Sequence, residues 1–141
     1  MKIHSTVEGE FKAFIFGKKL GQGATRKVYE YNPSHIDYVV KYEYMARSFH
    51  NIMEWNIWHK VKEIPELEPW FAPCLHISES GSFLLQARTY PIRELPKNVP
   101  SFLDDVETRN FGEYQGRVVC HDYAINRLLD IGLRDWTTVE T

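Results

Sequence analysis

The first half of the chain alternates between apolar and polar residues, and turn-forming residues interrupt the alternation. Residues 11 to 20 alternate loosely before Gly21-Gln22-Gly23, Lys27 to Tyr31 alternate again, and residues 38 to 43 are β-branched or aromatic. Glycine after the first run and Asn-Pro-Ser after the second favour turns. The pattern predicts three consecutive antiparallel strands.

The period of the pattern changes between Ser48 and about Ile64. Residues there recur at spacings of three and four, namely Glu54, Ile57, Trp58, Val61 and Ile64. Such spacing describes one face of a helix. Ser48 is predicted to cap the start of this helix, and Pro65 is predicted to end it.

Two further runs, residues 75 to 78 and 82 to 88, flank a Glu-Ser-Gly turn and predict a hairpin. Three prolines between residues 89 and 102 predict an extended connector. Beyond it we expect a short strand over residues 116 to 121, a brief helix over 126 to 132 and frayed last residues. The predicted fold class is α+β, with a five-stranded antiparallel sheet and one long helix.

Composition narrows the class of protein. The 141 residues suffice for one domain. With 17 Lys and Arg against 19 Asp and Glu, the formal charge of -2 provides no positive field for nucleic acid. No apolar run approaches the roughly 18 residues of a membrane span, and the first residues lack the pattern of a signal peptide. We therefore expect a cytoplasmic protein that binds neither nucleic acid nor membrane, with Cys74 and Cys120 as reduced core residues.

A glycine turn is followed by an apolar strand that ends in lysine. Residues 20 to 29 read Leu-Gly-Gln-Gly-Ala-Thr-Arg-Lys-Val-Tyr, and residues 38 to 41 read Tyr-Val-Val-Lys. These segments resemble the glycine-rich loop and the lysine strand of protein kinases. The resemblance implies that the loop approaches the phosphates of ATP, that a valine covers the adenine and that the lysine holds the phosphates. The residues implied are Gly21, Gly23, Val28 and Lys41.

In kinases this lysine pairs with a glutamate on the helix. Glu54 is the candidate, because it shares a helical stripe with Trp58 and Val61 and should face inward, where a carboxylate needs a partner. Glu63 and Glu66 compete for the same role, although Glu66 lies beyond the predicted end of the helix.

The second half contains three polar residues in a kinase-like order. Asp105 and Asn110 are five positions apart, and Asp122 follows a Gly-Arg-Val-Val strand as the first residue of Asp-Tyr-Ala. The segments resemble the catalytic loop and the metal-binding Asp-Phe-Gly motif of kinases. The resemblance implies that Asp105 orients the acceptor hydroxyl and that Asn110 and Asp122 hold Mg²⁺. Carboxylate and amide oxygens are hard ligands suited to that ion.

Several positions depart from the kinase pattern. The His-Arg-Asp signature is replaced by Leu103-Asp104-Asp105, which leaves Asp104 as an alternative base. Glu107 stands where many kinases have a lysine and would repel the phosphate unless Arg109 takes over the role of that lysine. Ala124 replaces the last glycine of the metal motif.

The chain is also too short for an ordinary carboxy-terminal lobe (C-lobe). About 16 residues separate Arg88 from Asp105, and 17 follow Ala124. The resemblance covers residues 14 to 125 and is closest to short kinase-like proteins encoded by tailed bacteriophages. It implies one minimal domain over residues 1 to 141, with an amino-terminal lobe (N-lobe) over 11 to 88 and a reduced C-lobe over 89 to 141.

Two functions stay open at this point. The first is an ATP- and Mg²⁺-dependent phosphotransferase whose acceptor is a protein serine or threonine or, as in aminoglycoside-type kinases, a small molecule. The second is a pseudokinase that acts as a binding or regulatory module for a protein partner. A reduced C-lobe leaves apolar surface, so we expect a protein partner, such as a host protein, or a second copy of the chain to cover it. If the protein is encoded by a phage, its compartment is the host cytoplasm.

Overall fold

The computed structural model describes residues 16–31, 37–44 and 48–141, except for the side chain of Leu129. Its strands are β1 (Phe16–Gln22), β2 (Arg26–Tyr31), β3 (Tyr38–Glu43), β4 (Cys74–Ile77), β5 (Phe83–Ala87), β6 (Asn98–Pro100), β7 (Phe111–Tyr114), β8 (Arg117–Cys120) and β9 (Thr138–Glu140). Its helices are α1 (His50–Val61) and α2 (Leu128–Ile131), with 3-10 turns at Glu68–Trp70 and Thr108–Asn110.

The chain divides into two compact units. The first runs as far as Ile52 and includes Cys74–Arg88, and the second comprises Met53–Pro73 and Thr89–Thr141. One division falls next to Arg88, and the residues from Met53 to Pro73, which include most of α1, group with the second unit. The division into an N-lobe and a reduced C-lobe stays a prediction.

The first unit is built on one antiparallel sheet with the strand order β1-β2-β3-β5-β4. The α+β class, the five strands and the long helix are therefore confirmed. Residues 11 to 15 of the predicted first strand lie outside the described residues. The hairpin between β4 and β5 turns at Gly81, whose φ of 81° suits glycine.

Strand alternation gives this sheet a face that we call the lysine face. Val28 lies directly opposite Lys41 on β3, and Arg26 lies opposite Glu43. Successive residues of a strand point to opposite faces, so all four share one face. Gln86 of β5 joins them, because it lies opposite Val39, two residues from Lys41.

Helix α1 occupies the centre of the predicted segment but is shorter at both ends. Its first turn is capped by Glu43 from β3, whose carboxylate accepts hydrogen bonds from the backbone N–H of His50 at 3.0 Å and of Asn51 at 2.8 Å. The Ser48 hydroxyl, predicted as the cap, donates to that same carboxylate. The glutamate satisfies helix-terminal donors that would otherwise lack partners.

The second unit has an aromatic core. The ring of Phe71 stacks on that of Phe102 at 5.7 Å and meets the edge of Tyr123 at 4.9 Å, and all three side chains are fully buried. The antiparallel hairpin of β7 and β8 contributes the buried side chains of Phe111 and Val119 to the same unit. Strand β8 and the brief helix α2 confirm the predictions for residues 116 to 121 and 126 to 132, and strand β6 lies within the predicted connector.

The end of the chain differs from its prediction. Residues expected to fray form β9, which pairs with β6 in antiparallel register, and the N–H of Thr141 donates to the carbonyl of Lys97 at 2.9 Å. The prediction was wrong because the pairing joins segments about 40 residues apart, and a local pattern carries no trace of such a partner.

Both cysteines are free thiols within the core, as expected. Along the described part of the chain, no helix combines the length and the apolar character required to cross a membrane.

Candidate functional site

Lys41 and Val28 occupy the middle of the lysine face. They are direct cross-strand neighbours, and Lys41 is only 4% exposed. A buried ammonium group is unusual on a sheet and is stable only where polar partners or a ligand compensate for lost hydration. The structure therefore distinguishes Lys41 from an ordinary surface lysine.

The glycine turn between β1 and β2 is closed by its own backbone. The N–H of Gly23 donates to the carbonyl of Arg26 at 2.8 Å, so this N–H is engaged within the turn. A Cβ at Gly21 or Gly23 would meet no atom within 4 Å, and neither glycine has a positive φ. Nothing within the described chain requires glycine here, so the missing side chains leave open space beside the turn.

A buried polar network ties the glycine turn to the helix. Arg26 donates to the Asn51 side chain at 3.2 Å, and the Asn51 amide donates to the carbonyl of Lys41 at 3.0 Å. Burial by itself raises the pKa of Glu43, but hydrogen bonds from Asn51, Ser48 and His50 and the charge of Arg26 outweigh it and lower that pKa. Glu43 is therefore a carboxylate at neutral pH.

This network was not predicted, although the sequence contains a signal for it. Arg26 and Val28, like Lys41 and Glu43, are two positions apart in predicted strands and so share a face. Arg26 therefore lies beside Val28 on this face, and Glu43 lies beside Lys41. Charged residues on the buried face of a sheet are rare, so the pair is a signal of a polar network.

Glu54 lies within the second unit and is fully buried. Its carboxylate accepts hydrogen bonds from the backbone N–H groups of Tyr123 at 3.0 Å and Ala124 at 3.1 Å. These residues directly follow Asp122. The expectation that Glu54 faces inward is confirmed. Its pairing with Lys41, which belongs to the other unit, stays a prediction.

Asp105 and Asn110 are joined by hydrogen bonds across the 3-10 turn. The Asn110 amide nitrogen donates to the Asp105 carbonyl at 2.8 Å, which leaves the amide oxygen as the lone-pair donor of that side chain. A side-chain hydrogen bond from Asn110, followed by one from Arg109, lowers the pKa of Asp105. Asp105 is thus ionised across the physiological range.

Arg109 lies among the carboxylates of this loop. Its guanidinium contacts Asp105 and Glu107, each at 3.2 Å. The hydrogen bond to Asp105 raises the pKa of Arg109 most, and the charges of Glu107, Asp105 and Asp122 contribute further. Asp122, two residues after the end of β8, therefore lies close enough for its charge to act on Arg109.

His121 connects the same elements. Its backbone N–H donates to the Asn110 carbonyl at 2.9 Å, and its ring Nε2 lies 2.7 Å from the carbonyl oxygen of Arg109. A carbonyl only accepts, so Nε2 carries a proton, and Nδ1 forms a second hydrogen bond with the Thr89 hydroxyl at 2.6 Å. The strand that leads to Asp122 is thereby fastened to the Asp105–Asn110 loop.

The competing candidates lie in different surroundings. Asp104 is exposed, and its carboxylate lies 4.0 Å from the guanidinium of Arg127. Glu63 and Glu66 are exposed and line a groove of about 700 Å³ with Trp136. Asp105 and Glu54, by contrast, bond to other predicted site residues or to the segment beside them.

Each unit contains its own set of the predicted site residues. The first unit holds Gly21, Gly23, Val28 and Lys41, and the second holds Glu54, Asp105, Asn110 and Asp122. Among the described residues, no group of three or more His, Cys, Asp or Glu side chains has metal-binding geometry. Comparisons of the chain with protein-family models, with curated proteins and with solved structures find no match.

Proposed function

We propose that the protein is an ATP- and Mg²⁺-dependent phosphotransferase with a minimal kinase-like fold. The observation that carries the proposal is that hydrogen bonds link the segments that hold Asp105, Asn110 and Asp122 within one unit. The Asn110 side chain donates to Asp105, and His121, the residue before Asp122, bonds to the backbone of Asn110 and Arg109. Turn formers have no reason to be linked in this way, whereas phosphoryl transfer requires an anionic base and hard metal ligands held in fixed positions.

In this proposal Asp105 accepts a hydrogen bond from the acceptor hydroxyl and orients it toward the γ-phosphate. Its lowered pKa suits that role, because the carboxylate stays ionised and hydrogen-bonding. The carboxylate of Asp122 and the amide oxygen of Asn110 would hold Mg²⁺, and the amide is suited because its nitrogen is anchored on Asp105. The bound ion would neutralise charge on the phosphates.

The first unit would supply the nucleotide-binding residues. Val28 would cover the base, Lys41 would contact the phosphates, and the glycine turn would allow their close approach. The open space beside Gly21 and Gly23 supports this role. Glu54 would position the Asp122 segment through its two backbone hydrogen bonds and would be the partner of Lys41.

Arg109 would provide the positive charge that Glu107 cannot. Its guanidinium lies against Asp105 and within the field of Asp122. Arginine is always charged and presents several donors, so it can contact phosphate oxygens while bound to a carboxylate. The proposed acceptor is the hydroxyl of a protein serine or threonine, with a host protein as the substrate if a phage encodes the chain.

One observation favours the second candidate, a pseudokinase that serves as a binding module. The Asp105 carboxylate already bonds to Arg109, which competes with an acceptor hydroxyl for the same oxygen. A module of this kind would bind its protein partner, or a second copy of itself, without transferring phosphate.

Calorimetric titration with ATP, with and without Mg²⁺, tests the proposal. We expect Mg²⁺-dependent binding that Asp122→Asn weakens at least tenfold, because a metal-bound carboxylate is lost. Binding that is absent at millimolar ATP, or that is indifferent to both Mg²⁺ and Asp122→Asn, would contradict the proposal.

Transfer of labelled γ-phosphate to water, to the chain itself or to mixed serine and threonine peptides tests the chemical step. Asp105→Asn should abolish transfer and leave ATP affinity within about twofold, since the carboxylate acts on the acceptor. Asp104→Asn is the matched control and should transfer normally. ATP binding without any transfer in the wild type would favour the binding module.

A further inference from the structure

Tyr44, the residue after β3, forms hydrogen bonds with the backbone of the glycine turn. Its hydroxyl lies 2.8 Å from the carbonyl oxygen of Gly23 and 2.9 Å from that of Ala24. Its backbone N–H donates to the carbonyl of Thr25 at 3.2 Å. One residue therefore engages three successive carbonyl groups, and Tyr44 and the turn all belong to the first unit.

The hydrogen bonds of the Tyr44 hydroxyl fix the direction of the N–H groups of Ala24 and Thr25. In a trans peptide the C=O and the N–H of the same unit point in opposite directions, and the described chain contains no cis peptide bond. Because the carbonyls of Gly23 and Ala24 point toward Tyr44, the N–H groups of Ala24 and Thr25 point away from it. Neither N–H has an acceptor among the described residues.

The surroundings of these two N–H groups suit an anion. Residues 21 to 27 include no acidic residue, and the Lys27 ammonium lies 5.1 Å from the centre of the Tyr44 ring. Ala24 is exposed. Consecutive N–H groups of a turn that face the same side bind anions, and two donors one residue apart match neighbouring oxygens of a polyphosphate.

We propose that Tyr44 is a positioning residue that holds the glycine turn so that the N–H groups of Ala24 and Thr25 bind the phosphates of the nucleotide. The inference rests on the proposed function for the identity of the ligand. It assigns the donors to Ala24 and Thr25, since the N–H of Gly23 is engaged inside the turn.

The substitution that tests Tyr44 is Tyr44→Phe, which removes the hydroxyl and retains the ring under Lys27. We expect it to weaken ATP binding about tenfold, because the hydrogen bond that the hydroxyl shares between two carbonyls is lost. The weak binding of adenosine should stay unchanged. Tyr29→Phe is the matched control, because Tyr29 lies on the same sheet and stacks on Phe16 through its ring. A merely structural role would change adenosine and ATP binding alike.

Amide NMR with pyrophosphate gives a readout that does not depend on ATP. In the wild type, pyrophosphate should shift the Ala24 and Thr25 resonances more than any others of the turn, and Tyr44→Phe should reduce these shifts. Unmoved Ala24 and Thr25 resonances in the wild type, or equal affinities of the wild type and Tyr44→Phe, would overturn the inference.

The two proposals fail separately. If the full protein binds pyrophosphate at Ala24 and Thr25 but shows no Mg²⁺-dependent ATP binding, the inference stands as an anion site and the phosphotransferase proposal falls. If ATP binds in the Asp122-dependent manner while Tyr44→Phe has no effect on it, the phosphotransferase proposal stands and the role of Tyr44 is rejected.

Discussion

The carboxylate of Glu54 lies 3.0 Å from the backbone nitrogen of Tyr123, and the same oxygen accepts the N–H of Ala124. A single buried side chain thus fixes the two residues that follow Asp122. One side-chain oxygen therefore satisfies two buried backbone donors. The conformation of the Asp122 segment depends on this contact.

Replacement of Glu54 should therefore destabilise the protein in a graded way. Glu54→Ala leaves both N–H groups without an acceptor and should lower the free energy of unfolding by about 3 kcal/mol, whereas Glu54→Gln retains an amide oxygen and should cost about half as much. Urea denaturation measures both. Glu63→Ala, which removes an exposed carboxylate, is the control and should change stability by less than about 0.5 kcal/mol. Equal stability of Glu54→Ala and the control would refute the role assigned to this contact.

Replacement of two glycines by alanine should affect the stability of the protein differently. Gly23→Ala should preserve the melting temperature, because its Cβ enters open space, and should weaken nucleotide binding if phosphates approach the turn. Gly112→Ala should cost about 1–3 kcal/mol, because its Cβ would overlap the Thr89 side chain. Thermal melting and ATP titration of both variants provide the comparison. A destabilised Gly23→Ala protein would show that the turn is packed and not open.

The pH dependence of stability should report on Glu43. Its pKa is lowered in the folded protein from the ordinary value of 4.5, so its contribution is complete above that value and is lost as the pH falls through the folded pKa. Glu43→Gln should cost about 1–3 kcal/mol at pH 7, and its difference from the wild type should shrink below about pH 4.5. Denaturation at pH 7, 5 and 3.5 measures this difference. A difference that stays constant over this range would exclude ionisation of Glu43 as its source.

The hairpin turn between β7 and β8 offers a stabilising substitution. Gln115 has a φ of 50° and Gly116 a φ of 80°, which is the left-handed pair that asparagine and glycine adopt best. Gln115→Asn should raise the free energy of unfolding by about 0.5–1 kcal/mol. Gln115→Val should lower it, because a β-branched residue fits this conformation poorly. Stabilities that rank in the reverse order would contradict the assigned turn.

The sequence by itself determined the elements whose signals are local. Alternation located β2 and β3, because half-buried strands repeat every two residues. The 3.6-residue period located α1 and predicted that Glu54 faces inward. The five-residue spacing of Asp105 and Asn110 identified a loop that the structure closes with a hydrogen bond. In each case the residues that make the signal are close together in the chain.

Tertiary structure alone decided which distant groups satisfy one another. Glu43 caps a helix whose predicted cap was Ser48, the Tyr44 hydroxyl bonds to a turn about 20 residues earlier, and β9 pairs with β6 across about 40 residues. A buried donor or acceptor must find a partner, but the requirement does not specify which one. The choice of partner depends on the packing of the whole unit. Burial of side chains offsets the entropy cost of closing each long loop. A local sequence pattern contains no information about this balance.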